Sequence, residues 1–164
     1  MNKHHGTADH GDFDLALGSG IAAYESKQFS RAVGLLGPLA EAGDPQAQYR
    51  IAIMAQNGLG MRRNPALAYR FMQAAATAGL GLAQHGLGCM YLEGEGTAPD
   101  PAQAAAWFRQ AADQGLAGAH SILASLYDEG RGVPRDPAEA ERRRGLAGFD
   151  ERGAIQTEVV TQTS

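Results

Sequence analysis

The chain of 164 residues has one cysteine, one tryptophan and only two lysines, Lys3 and Lys27, against twelve arginines. Each scarcity excludes something. A lone Cys89 cannot close an intrachain disulfide, which agrees with a reducing compartment. No run of about eighteen apolar residues occurs, so nothing reads as a membrane span. The first residues, MNKHHGTADHGDFD, lack an apolar h-region and do not read as a secretory signal. Cytoplasmic location is therefore expected, with no membrane partner. The Lys/Arg imbalance is of the kind high-GC bacterial coding produces and carries no functional information. The net charge is −4 and the isoelectric point about 5.7. Basic footprint is thus missing at the level of the whole chain, whereas phosphate contacts supply most of a nucleic-acid binder's affinity. No nucleic-acid partner is expected.

What is present is an ordinary apolar share of 44% and a charged share of 20%, enough for a core without staples. Glycine and alanine are abundant, and they recur. Gly58, Gly94 and Gly130 stand 36 residues apart, as do Gly60, Gly96 and Gly132, and Pro65, Pro101 and Pro137. Ala32, Ala68, Ala104 and Ala140 keep the same step, as do Ala47, Ala83 and Ala119, and Gly43, Gly79 and Gly115. Such coincidence at one period marks an internal repeat.

Each unit parses into two helices. The first runs through AQYRIAIMAQN (47–57), AQHGLGCMYLE (83–93) and AHSILASLYDE (119–129), with apolar positions on one helical stripe. It stops at a Gly, the residue best suited to a left-handed helix end, so Gly94 and Gly130 are expected in that conformation. A G-x-G loop follows. Then Asn64-Pro65, Asp100-Pro101 or Asp136-Pro137 supplies an Asx N-cap with Pro at the first helical position. Gln103 and Glu139 three residues after the cap suggest box-like caps. The unit before residue 44 has a shorter turn at Glu25 to Gln28 and reads as a tight helix pair over 13–43.

Those residues carry a resemblance. AQYRIAIMAQNGLGMRRNPALAYRFMQAAATAG and AQHGLGCMYLEGEGTAPDPAQAAAWFRQAADQG resemble the Sel-like repeat of the tetratricopeptide superfamily, over roughly 44–148. The resemblance implies an all-α fold, a right-handed α-α superhelix (solenoid) of about four helix-turn-helix repeats. Units would span 13–43, 44–79, 80–115 and 116–149, between mobile tails at 1–12 and 150–164. It also implies a non-catalytic adaptor, without cofactor or metal, that binds another protein or peptide as a monomer or weak homo-oligomer. Its concave face, lined by first helices, would be the binding surface. On that face the helical wheel places Tyr49, Ile53, Gln56, His85, Cys89, Ser121, Ser125 and Asp128, with Arg50 and Glu93 flanking it within reach of a ligand. The fourth unit departs from the pattern, with Arg143 where Phe71 and Trp107 stand. The run ERRRG (141–145) suits a solvated cap on a terminal repeat.

Other readings compete. His85 and Cys89 are four apart on one helix, near His120, a spacing open to a metal site or a small thiol enzyme. A small buried thiol beside a partly exposed imidazole accounts for them equally. His4, His5 and His10 with Asp9 and Asp12 are open to loose chelation or to a plain polar tail. Arg62, Arg63, Arg131, Arg135 and Arg142 to Arg144 suit an acidic partner or simple solvation. Phe71, Trp107 and Phe108 form an aromatic stripe expected in the core. A third alternative is a structural piece that self-associates through its ends.

Overall fold

A computed structural model of the chain describes residues 9–148. Seven helices follow one another: α1 (Asp9–Glu25), α2 (Phe29–Glu41), α3 (Pro45–Asn57), α4 (Pro65–Thr77), α5 (Gly81–Glu93), α6 (Pro101–Asp113) and α7 (Ala117–Glu129). An eighth, α8, occupies 137–148. Among the described residues there is no strand, as an all-α repeat fold requires. α1 already covers 9–12, residues expected to precede the first helix. The segments 1–8 and 149–164, which include His4, His5 and the C-terminal tail, lie outside the described residues.

Local chemistry sets the helix ends. Asp44, Asn64, Asp100 and Asp136 each accept a hydrogen bond from the amide three residues on, at 2.8, 3.1, 3.1 and 3.1 Å. Each precedes a Pro that cannot donate at the first helical position. Gly58 and Gly130 close α3 and α7 in left-handed conformation, and Gly94 follows α5 with φ of 71°. The reciprocal half of the expected capping box is absent from Glu139: its carboxylate is taken by Arg142 and Arg143. The cap residue's own N–H does something else. Asn64, Asp100 and Asp136 donate to the carbonyls of Ala55, Tyr91 and Tyr127 at 2.8, 2.8 and 2.9 Å, which ties each long loop back to the helix before it.

The chain divides into two compact units between Ala83 and Gln84. In the first, α2 packs on α1 and α3, and α3 packs on α4. Its core includes Leu36, Ile51, Met54, Phe71 and Met72. The loop glycine Gly60 presses on the backbone of Phe29 and Ser30, so closely that no side chain fits. In the second unit α6 packs on α7, around Leu87, Met90, Phe108, Leu123 and Leu126. Gly132 meets the backbone of Pro101 and Ala102 in the same way. The repeated alanines Ala32, Ala68, Ala104 and Ala140 are all 0% exposed, which explains their recurrence: the neighbouring helix leaves room for one methyl.

The aromatic stripe is only partly core. Phe71 and Phe108 are buried, but Trp107 keeps part of its surface exposed. The residue after it carries the packing, because Phe108 fills the space that α5 leaves at Gly88. Arg143, expected in a solvated cap, is buried. It reaches the Glu139 carboxylate at 2.9 Å and Nδ1 of His120 at 3.3 Å, so its charge is matched inside the unit. Arg142 and Arg144 do remain exposed.

Candidate partner-binding surfaces

In the first unit four of the expected binding residues lie on α3: Tyr49, Arg50, Ile53 and Gln56, all half-buried. Their neighbour α1 touches α3 and contributes Tyr24. The guanidinium carbon of Arg50 sits 5.7 Å from the Tyr24 ring centroid, within cation–π range. Its Nη1 donates to the carbonyl and the Oε1 of Gln46, at 3.0 and 2.8 Å. Burial pushes the Tyr49 phenol above its usual pKa, and Tyr24 adds to the effect. The Gln56 carbonyl accepts from Nε of Arg63 at 3.1 Å, which pins the loop arginine to the end of α3.

In the second unit His85, Cys89 and Glu93 follow one another along α5, and Ser121, Ser125 and Asp128 along α7. His85 and Cys89 are half-buried, and Cys89 Sγ lies 3.9 Å from Nδ1 of His85. The imidazole stands edge-on to Phe108, with centroids 5.4 Å apart and planes at 77°. Its Nε2 faces Gly118, where an added Cβ would come within 3.6 Å. Burial lowers the His85 pKa. Burial raises that of Cys89, and the Glu93 carboxylate raises it further. Both shifts favour the neutral forms, the opposite of what activates a thiol nucleophile. Among the described residues no group of three His, Cys, Asp or Glu side chains is placed to hold a metal ion. His10 and Asp12 are exposed on α1.

Ser121 and Ser125 are exposed, with hydroxyls turned to the carbonyls of Ala117 and Ser121, at 3.5 Å each. Asp128 is not the free charge its wheel position suggested. It pairs with Arg144 of α8, and its backbone carbonyl accepts from Arg135. Arg131 likewise donates to the Leu92 carbonyl, so several of the clustered arginines serve the fold.

Two features escaped the sequence reading. Tyr24 is one: it stands outside the 36-residue register and nothing in the pattern links it to Arg50. The other had a signal. Gln48, Gln84 and His120 are 36 apart, polar residues on helices otherwise apolar at such positions. Gln48 and Gln84 are buried. Gln48 donates to the Ala40 carbonyl at 3.2 Å, Gln84 accepts from Gln114 at 2.9 Å, and His120 meets Arg143. The polar register is a set of inter-helix ties.

Comparison with known proteins bears on the repeat itself. The model of the Sel1 repeat matches at 45–80, 81–116 and 117–142. Among solved structures, a protective antigen present in uropathogenic Escherichia coli strains, displaying an SLR fold, is 32% identical with a TM-score of 0.80. That match covers 87% of this chain and 32% of the antigen. A Sel1 repeat protein from Oxalobacter formigenes is 30% identical with a TM-score of 0.77, over 82% of this chain and 53% of the other. The chain thus spans about a third and about half of those two proteins' lengths. No curated protein matches it by sequence.

Proposed function

Since the chain belongs to the Sel1 repeat family, whose repeats generally mediate protein–protein interaction, we propose that it is a non-catalytic adaptor. In this reading each unit offers the outward positions of its first helices to a partner protein or peptide. A contrast within the repeats carries it. Framework positions repeat and are buried, as at Ala47, Ala83 and Ala119. The outward positions differ from repeat to repeat, Tyr49, His85 and Ser121 or Ile53, Cys89 and Ser125, and all stay at least partly exposed. Packing constrains the first set alike in every unit, whereas a partner's own surface would diversify the second.

The neutral His85–Cys89 pair supports a binding role over a thiol enzyme. Among the described residues no helix is long and apolar enough to cross a membrane. The reading keeps a cytoplasmic location, which the single, half-buried cysteine supports, and a monomer or weak homo-oligomer.

Affinity capture from the source cell, with the folded chain as bait, tests the reading. Saturable retention of a protein should be lost with heat-unfolded bait and weakened by Tyr49→Ala or Glu93→Lys. Retention that ignores every outward first-helix substitution, or no retention at all, overturns it.

A further inference from the structure

α1 is packed differently from the later first helices. Gly20 stands against the Leu36 side chain as Gly88 stands against the Phe108 ring. The spacing is shorter because the turn 26–28 replaces the longer loop 94–100. That match sets Leu15, Ser19 and Ala22 level with Ala47, Ile51 and Met54 of α3, and with Ala119, Leu123 and Leu126 of α7. The six later residues are 3% exposed or less, whereas Leu15 is 71% exposed. Ala22 is exposed as well, and Ser19 is half-buried. α3 packs against α2 before it, and α7 against α6 before it. Among the described residues no helix precedes α1. The three open positions are therefore those that a preceding second helix closes in the later repeats.

Two features of this open face decide what fits it. Small Ser19 and Ala22 leave a cavity of about 200 Å³, bounded also by Ala23, Ser26, Gln28 and Arg31. It has room for one large uncharged side chain beside Leu15. α1 also presents Asp12, Asp14 and Glu25 to solvent and contains neither Lys nor Arg, so the field around Leu15 is negative. The other end of the chain is built otherwise. α8 has exposed, ion-paired Glu141 and Arg144 where α6 has buried Ala105 and Phe108, the polar outer face of a terminal repeat. Two copies pairing through α1 would oppose their own Asp12 and Asp14. The segments outside the described residues lack the chemistry: 1–8 has Met1 and Ala8 as its apolar residues, and 149–164 has Asp150, Glu151 and Glu158 against Arg152.

We propose that the open face of α1 docks a basic amphipathic helix of a partner protein, placed as α2 is placed on α3. One apolar side chain of that helix fills the cavity, and its Lys or Arg residues lie beside Asp12 and Asp14. This face is separate from the outward first-helix positions, so the proposal adds a surface to the adaptor reading and does not rest on it.

The probe is a blocked helical peptide of about twenty residues, with a leucine stripe flanked by lysines, against the same peptide with glutamates for lysines. Amide chemical shifts of the full chain are followed during titration. The lysine peptide should bind at least about tenfold more tightly, and its advantage should shrink at higher salt. Its shifts should centre on Leu15, Ser19 and Ala22. Leu15→Ser should weaken it by about tenfold, as loss of a buried leucine contact does, and Ala22→Arg should abolish binding by filling the cavity. Both positions are exposed, so the fold should survive. Leu82→Ser, at the exposed leucine of α5, should change nothing. Absence of saturable shifts in the wild type, shifts centred elsewhere, or equal affinity for the two peptides overturns the proposal. So does binding that either variant leaves undiminished. Sedimentation showing a dimer of the free chain that Leu15→Ser dissolves would make a second copy the occupant and also overturn it. In each of these cases, capture of a partner through the outward first-helix positions would still stand.

Discussion

Gly88 faces the ring of Phe108 so closely that a Cβ on its backbone would lie 2.8 Å from Cζ. The equivalent residues one repeat earlier are Ala52 and Met72. A smaller residue on the first helix thus accompanies the larger, stiffer one on the second. Gly88→Ala gains about 1 kcal/mol of helix propensity but overpacks a ring that is 0% exposed, at a cost of about 1–3 kcal/mol. A net loss of about 1 kcal/mol is expected in urea titration. Adding Phe108→Met should recover most of it, with a coupling of about 1 kcal/mol or more. Additive effects would mean that the two residues do not constrain each other.

The neighbouring aromatics should differ in the same assay. Phe108→Ala is expected to cost about 3–5 kcal/mol, as a fully buried ring. Trp107→Ala should cost about 1–2 kcal/mol, since only part of its apolar surface is removed from water. A loss at Trp107 as large as that at Phe108 would contradict its partly exposed position.

Two glycines with positive φ separate backbone strain from steric conflict. Gly43, at φ 101°, has open space around it, while Gly132, at φ 73°, abuts the Pro101 carbonyl. Gly43→Ala should cost about 1–2 kcal/mol from conformation alone. Gly132→Ala should cost more by at least about 1 kcal/mol, because the loop must leave α6. Thermal unfolding of both variants decides, and equal losses would remove the loop-to-helix contact as a source of stability.

Glu139 gives the protein an acid-sensitive end. Hydrogen bonds from Arg142 and Arg143 hold its pKa at about 2, below the ordinary 4.5. A carboxylate depressed in the folded state stabilises that state above its unfolded pKa, and the contribution disappears as pH falls from about 4.5 through 2. Wild type should therefore lose more of its thermal midpoint between pH 6 and about pH 2.5 than Glu139→Gln does. Parallel pH profiles would show that the two arginines do not depend on this charge.

Cys89 should be slow to react. Its thiol is raised in pKa by burial and by Glu93, so less thiolate is present at pH 7 than in a free cysteine. Iodoacetamide labelling is expected to run below the model-thiol rate and to quicken in Glu93→Gln. Labelling faster than the model thiol would restore the case for catalysis.

The repeat, its helix ends and its G-x-G loops were legible in the sequence because they depend on local chemistry. An Asx before Pro caps the helix that follows, and a Gly after an apolar stripe ends the helix before it, whichever unit it occurs in. The shorter turn at Glu25 to Gln28 was legible too, and it is made with Lys27 at φ 60°. The binding positions were less so. A helical wheel points Asp128 outward correctly but does not know that Arg144 comes back from α8 to pair with it.

Sequence alone therefore determined the period, the helix pairs and which small residues face a neighbour, since a 36-residue recurrence and 3.6-residue stripes are properties of the chain itself. Only tertiary structure decided which of two adjacent aromatics fills the core. Phe108 rather than Trp107 does so because Gly88 leaves it room. Tertiary structure also decided which charges are matched. Arg143 and Arg50 are both partly or wholly withdrawn from water, yet the first meets the Glu139 carboxylate and the second, among the described residues, meets the neutral Gln46 amide and the Tyr24 ring. Their fates differ because a charge's free energy is set by what other helices bring within a few ångströms of it, and spacing along one helix contains no record of that.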